Sequence, residues 1–426
     1  MLEEISRSFG RPARVGLAAA SYLYRILPAE TVELLKAPLL LAASHPGAVE
    51  VTQTPDPLRV IDSGEWPTCT TADVVIVGSG AGGAMVARTL ARTGRSVIVL
   101  EEGRQHTTAE FAAKPPAQRF TELYRDGGAT VAIGLPPILL PVGRGVGGTT
   151  LVNSGTCYRT PDRVLRNWRD QHGVELDESY LDEVERTLRV APSPLEVLGR
   201  NGELALAGAA ALGWAAAPIR RNAPGCVGSC ECVVGCPSGA KQGVHLNALP
   251  QAVSAGARII GYSRVIRLLH EARRVTGVVA RRPDGSRFEI LADTVVVAAG
   301  ATRTPVLLHA SGLTHPGLGR GLAIHPALSI AGRFEEPVNA SKGVLQSVGI
   351  EELHSEGVLI EATSGPPGVA SFLPPGRGPA LRAELAKMDH VAVLGAMVAD
   401  GPHGRVHPSG LVSYRLPPAP PARAGG

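Results

Sequence analysis

Residues Asp73-Val74-Val75-Ile76-Val77-Gly78-Ser79-Gly80-Ala81-Gly82-Gly83, followed by Ser96 to Gly103 (SVIVLEEG), decide the fold. Val74 to Val77 is an unbroken β-branched run, the pattern of a strand buried on both faces of a parallel sheet. The glycines at 78, 80 and 83 then follow a dinucleotide-binding spacing, each for its own reason. Gly78 permits a tight turn, Gly80 lets backbone approach a pyrophosphate, and Gly83 lets the next helix pack closely on the strand. Ala84 to Thr93 predicts that helix, with Gly94 as its left-handed stop. Val97 to Leu100 predicts a second parallel strand. It delivers Glu101 or Glu102 about 20 residues after the turn, where a carboxylate accepts hydrogen bonds from a ribose. The phosphates would rest on free N–H groups at the positive end of the helix.

The chain has 426 residues, long enough for one large domain or two intertwined ones with an ample core. Hydrophobic residues make up 44% and charged residues 19%, which are globular values. A formal net charge of +4, with no basic run and no aromatic–basic interleaving, argues against nucleic acid. Six cysteines without a secretory signal point to a reducing, cytoplasmic setting in which thiols are core residues or metal ligands.

Residues 1–45 read as two or three helices and 46–70 as a Pro-rich connector, so 1–70 form an N-terminal extension. Val15 to Tyr24 is uncharged but too short to span a bilayer, and no transmembrane segment is expected. Arg11, Arg14 and Arg25 flank that patch. An extension packed on the main domain is preferred over a helix lying peripherally on a membrane. His106 to Pro141 reads as loop. Helices are expected over Arg163–Gln171, Ser179–Val190 and Gly199–Leu212. Short strands are expected at Ile259-Ile260, Arg264–Leu269, Val275–Ala280, Phe288–Leu291 and Thr294–Ala298, with Pro283-Asp284-Gly285 as a hairpin turn.

A second glycine cluster, Gly143-Arg144-Gly145-Val146-Gly147-Gly148-Thr149-Thr150-Leu151-Val152-Asn153-Ser154-Gly155, lets backbone press against something flat or charged. Two such clusters fit two sides of one large cofactor. GRGVGGTTLVNSG, with the earlier GSGAGG and EEG, resembles the glucose-methanol-choline (GMC) family of FAD-dependent oxidoreductases. The similarity is to the branch holding long-chain alcohol oxidases and related bacterial dehydrogenases. Gly300 to Leu313 (GATRTPVLLHASGL) resembles the family's second signature, and the match runs from about residue 71 to about 415.

The resemblance implies an α/β fold: a Rossmann-type FAD-binding domain with a parallel sheet, over 71–160 and 245–320. Interleaved with it would be an α+β substrate domain with an antiparallel sheet, a cap over 321–415. Residues 161–244 would form a helical, Cys-rich insertion. Gly78, Ser79, Gly80, Ala81 and Gly83 would hold the pyrophosphate and Glu101 the adenosine ribose. Gly147, Gly148, Thr149 and Asn153 would lie along the flavin ring, with Arg144 placed to stabilise a reduced, anionic flavin. Backbone near Val265 would face the adenine, and Ala299-Gly300 would close over the nucleotide.

Cys226-Val227-Gly228-Ser229-Cys230-Glu231-Cys232-Val233-Val234-Gly235-Cys236-Pro237 is the most unusual stretch. An iron–sulfur cluster on Cys226, Cys232 and Cys236 is weighed against zinc and against free structural thiols, and free thiols are favoured, with no metal assigned. Some relatives carry such a cluster here, whereas others keep a GCxxGAK-like segment as structure, and Gly235 to Gln242 resembles the latter. Strands at Leu328–Phe334, Gly343–Ile350, Val358–Ala362 and Val391–Val398 would shape an alcohol pocket. His325, His390 and His403 are read as structural.

Family relatives supply a histidine facing flavin N5 from a C-terminal segment that has no counterpart here. After Tyr414 the chain ends in a Pro/Ala/Gly-rich run, read as a disordered tail over 416–426 of a truncated product. No catalytic residue is therefore assigned. The reading is an FAD-dependent oxidoreductase acting on a CH–OH group of a small-molecule alcohol, with oxygen, a quinone or a carrier protein as electron acceptor. Two alternatives stand beside it, an inactive FAD-binding remnant and a nicotinamide-linked dehydrogenase. The latter leaves the 143–155 and 294–305 segments without a reason.

Overall fold

The computed structural model describes residues 58–366 and 378–416; the expected N-terminal helices and the Pro-rich tail beyond Leu416 lie outside the described residues. Seven strands form the spine: β1 (Val60–Asp62), β2 (Cys69–Val77), β3 (Val97–Leu100), β4 (Arg258–Gly261), β5 (Arg264–Glu271), β6 (Arg274–Arg281) and β7 (Arg287–Val297). Their order across the sheet is β1-β4-β3-β2-β7-β6-β5. The first five run parallel, and β6 and β5 extend the sheet antiparallel.

The run at 74–77 behaves as its composition requires, because β2 is central and covered on both sides. Val74 and Ile76 enter one apolar layer with Ala84, Ala87 and Ala248, while Val75 and Val77 enter the other with Phe288, Ile290 and Leu307. Helices α1 (Ala81–Ala91) and α2 (Ala248–Ser254) cover the first face, and α3 (Thr304–Ala310) contributes to the second. Pro305 sits in the first turn of α3, where its missing N–H is no loss.

Three sequence expectations change. The two strands predicted at 288–291 and 294–298 are one, β7. Its first part, Arg287 to Leu291, pairs with β6, whereas its pairing with β2 runs from Glu289 to Val297, and the exposed Asp293 interrupts the apolar pattern without breaking the ladder. The connector before residue 70 supplies β1, a three-residue edge strand too short for periodicity to show. The segment read as loop at 106–141 holds helices Thr108–Ala113 and Pro116–Leu123 and strands Val131–Ile133 and Ile138–Leu139. A reciprocal cap between Thr107 and Glu110 starts the first of these helices, a local signal the apolar pattern does not carry.

A second sheet is antiparallel, built of β8 (Ala327–Arg333), β9 (Gln346–Ile350), β10 (Val358–Thr363) and β11 (Val391–Val398) in the order β8-β11-β10-β9. Its outer edge is completed by Ala216–Pro218, from within the predicted helical insertion. Val348 and Ala362 pack against Leu198 and Ala205 at helix Gly199–Ala211. Helices Asp162–His172 and Glu178–Leu188 match their predicted positions within two residues. A third, mixed sheet joins strands 131–133 and 138–139 to Val412–Ser413, Gly404–Val406 and Arg320–Leu322. The last described stretch of chain thus returns beside the segment that precedes the second glycine cluster.

Candidate functional site

A cleft of about 500 Å³ opens where β2, β3 and β7 end at Val77, Leu100 and Val297, the place where open parallel sheets hold ligands. Three separated segments wall it: Gly78 with Gly80 to Gly82, Gly143 with Gly148 to Thr150, and Ala298 to Gly300. Their closeness depends on missing side chains. Gly78 has φ +100°, and a Cβ there would lie 2.4 Å from the Ala298 carbonyl oxygen. A Cβ on Gly148 would lie 2.8 Å from the Cα of Gly80, so the two glycine clusters meet backbone to backbone. Gly83 packs α1 onto the turn, since its Cβ would fall 2.0 Å from the Gly78 oxygen.

Helix α1 begins at Gly80 with no side-chain cap, and a Cβ on Gly82 would meet nothing within 4 Å. The first-turn N–H groups therefore face open space with the positive end of the helix behind them. Arg125, Arg264, Arg281 and Arg303 add cationic lining. Arg125 pairs with Glu102, while its Nε is buried without an acceptor among the described residues. Burial first, then Arg303 and Arg144, lower Arg125 to about 10, which leaves it charged at neutral pH. This cradle of bare backbone and guanidinium groups suits a phosphate-bearing dinucleotide, and the cleft lies within the roughly 300–1,000 Å³ range of ligand pockets.

Glu101 ties the walls together. Its Oε2 accepts from the Ser79 N–H at 3.1 Å and the Ser79 hydroxyl at 2.6 Å, and its Oε1 accepts from the Gly103 N–H at 3.0 Å. The Ser79 Oγ in turn accepts from the Gly147 N–H at 3.0 Å. One carboxylate and one fully buried hydroxyl thus join the turn after β2, the end of β3 and the second cluster.

Behind the second cluster lie two buried cations. Lys241 Nζ donates to the carbonyls of Leu151, Asn153 and Cys232 at 3.0, 2.6 and 2.8 Å. Arg221 donates to the Ser154 carbonyl, and to the sulfurs of Cys232 at 3.1 Å and Cys226 at 3.8 Å. The Cys236 sulfur lies 3.4 Å from the Ser238 hydroxyl and accepts from the Lys241 N–H. Cys230 is buried beside Leu345, and burial pushes its thiol up to about 12. The four cysteines thus point to cations, hydroxyls and apolar neighbours. Among the described residues no group of three or more His, Cys, Asp or Glu side chains is arranged to hold a metal ion. His245 is buried beneath Gly147, and burial followed by Lys241 lowers it to about 3.

Of the residues picked from sequence, Gly78, Gly80, Ala81, Glu101, Gly148, Thr149, Val265, Ala299 and Gly300 line the cleft. Ser79, Gly83 and Gly147 do not. They are buried behind the wall and position it through the contacts above. Arg144 and Asn153 are exposed and lie outside the lining. Sequence reading missed the four lining arginines. Arg303 stands inside the Gly300–Leu313 match and Arg264 next to Val265, but Arg125 lies in the segment read as loop.

Comparison with known proteins decides the family. A GMC oxidoreductase model matches residues 120–327, and an FAD binding domain model matches residues 71–136. An uncharacterised GMC-type oxidoreductase of Mycobacterium tuberculosis is 59% identical over 82% of this chain and 57% of its own length. The chain belongs to the GMC oxidoreductase family. A long-chain-alcohol oxidase of Arabidopsis thaliana is 31% identical over 88% of this chain and 54% of its own length. This GMC chain thus spans little more than half of the curated relatives it matches. Pyridoxine 4-oxidase from Mesorbium loti has a similar fold, with a TM-score of 0.60 and 17% identity over 80% of this chain and 75% of that one. No helix among the described residues is long and apolar enough to cross a membrane.

Proposed function

We propose that this chain holds FAD in the cleft described above and serves an oxidoreductase that oxidises the CH–OH group of an alcohol. The observation that carries the reading is the meeting of three glycine-bearing segments, far apart in sequence, around one cavity lined by arginines. Bound there, FAD supplies the hydride acceptor. The chain's own residues do the rest. The uncapped start of α1 and Arg125 take the pyrophosphate charge, and Glu101 presents a carboxylate edge to the adenosine ribose. Backbone at Val265 and at Ala299-Gly300 encloses the nucleotide from the far side. The 148–155 segment lies along the ring system, and the sheet β8–β11 forms the wall that an alcohol would meet.

The match to a long-chain-alcohol oxidase favours a lipophilic donor. No described histidine is assigned the proton transfer. His325 and His403 are exposed, and the His403 ring lies 3.6 Å from the buried Asp400 carboxylate. The test is anaerobic mixing of the FAD-loaded protein with primary alcohols of increasing chain length. Bleaching of the flavin's visible band by long alcohols is expected. A flavin that stays oxidised with every alcohol would overturn the substrate assignment while leaving FAD binding intact.

A further inference from the structure

Lys241 and Arg221 are both 2% exposed, and neither pairs with a carboxylate among the described residues. Two unpaired cations buried this close together are expensive to desolvate, which calls for a reason beyond packing. Their acceptors supply one. The carbonyls of Leu151, Asn153 and Ser154, all at the end of the second glycine cluster, turn inward onto these two side chains. A trans peptide places its N–H opposite its C=O. The Ser154 and Gly155 N–H groups therefore face away from the cations, and neither donates to an acceptor among the described residues. Asn153 is exposed, Ser154 half-buried and Gly155 buried, so the segment opens on this side at 153–154. Burial lowers Lys241 to about 8, opposed by the Cys232 and Cys236 sulfurs, so its ammonium remains mostly charged at neutral pH.

We propose that Lys241 and Arg221 are positioning residues that aim the Ser154 and Gly155 N–H groups outward and place positive charge, paired with no carboxylate, behind the flavin side of the cleft. The inference rests on FAD occupying the cleft, as proposed above. Two-electron reduction adds negative charge to a flavin, and a positive field with aligned peptide dipoles favours the form that carries it. The role of the cysteine-rich stretch follows from the same contacts. Cys226 and Cys232 give Arg221 polarisable sulfur partners in place of a carboxylate, and these hold the guanidinium against the Ser154 carbonyl.

The experiment measures two quantities on the purified full chain and on its Lys241→Gln variant, in which the amide keeps a donor but loses the charge. Flavin absorbance gives FAD bound per chain, and dye-coupled reduction gives the midpoint potential. We expect Lys241→Gln to retain FAD. Its reduced form should be disfavoured at least tenfold relative to the parent, a fall of about 30 mV for a two-electron couple. An unchanged potential with FAD retained would overturn the proposal. A parent chain that binds no FAD would instead overturn the reading beneath it. If Lys241→Gln is recovered unfolded, Arg221→Gln is read by the same two criteria.

Discussion

Ser79 shows how much of this site depends on single atoms. Its hydroxyl donates to Glu101 and accepts from the Gly147 N–H, with no solvent access to share either role. We expect Ser79→Ala to strand the Gly147 donor and to leave Glu101 Oε2 with only the Ser79 backbone N–H, destabilising the chain by about 1–3 kcal/mol in urea unfolding. An unchanged midpoint would mean the tie contributes nothing. Gly80 offers the complementary case. Its φ is −67°, and the nearest atom to an added Cβ is the Gly148 Cα at 3.9 Å. Gly80→Ala should therefore fold with the parent's stability yet bind FAD at least tenfold more weakly, because the methyl occupies the room reserved for the pyrophosphate. Equal FAD affinity by fluorescence titration would contradict that placement. At this scale the glycines were legible in the sequence because their spacing encodes a backbone shape. The arginines were not, because a guanidinium reaches a site from several residues away and leaves no periodic trace.

On the scale of elements, β10 carries a buried acid into the second sheet. Glu361 lies between Gly349 on β9 and Gly395 on β11. Its Oε2 accepts from the Gln346 Nε2 at 2.6 Å, and its Oε1 is buried with no partner among the described residues. Burial raises this carboxyl from 4.5 to about 7. Because the folded value lies above the unfolded one, its contribution to stability is full below about pH 4.5 and is lost as pH rises through 7. The loss is on the order of 3 kcal/mol once both states are ionised. We expect Glu361→Gln to flatten that slope and to unfold at higher urea than the parent at about pH 8. A parent equally stable at about pH 5 and about pH 8, with the variant unchanged, would sink the assignment. Strands and helices with a full period were legible, β2, β3 and β11 among them. The helices at 108–113 and 116–123 were not, since six and eight residues give barely two turns of pattern.

The whole molecule is organised so that distant parts of the chain end at one place. The parallel order β1-β4-β3-β2-β7 puts the turn after β2 beside the end of β7, and the second glycine cluster folds back onto the first. The sequence motifs announced the parts, and their order implied a shared ligand. What they did not show was the support behind them, namely the Glu101–Ser79–Gly147 tie and the cations under residues 151–154. Those contacts join residues 22 to 90 positions apart and obey no local rule. The most direct test of the account is the flavin content of the purified chain after incubation with FAD. One FAD per chain, displaced from the Gly80→Ala variant, is the predicted result. A colourless protein that shows no saturable FAD binding would contradict the claim that the three segments close on one cofactor.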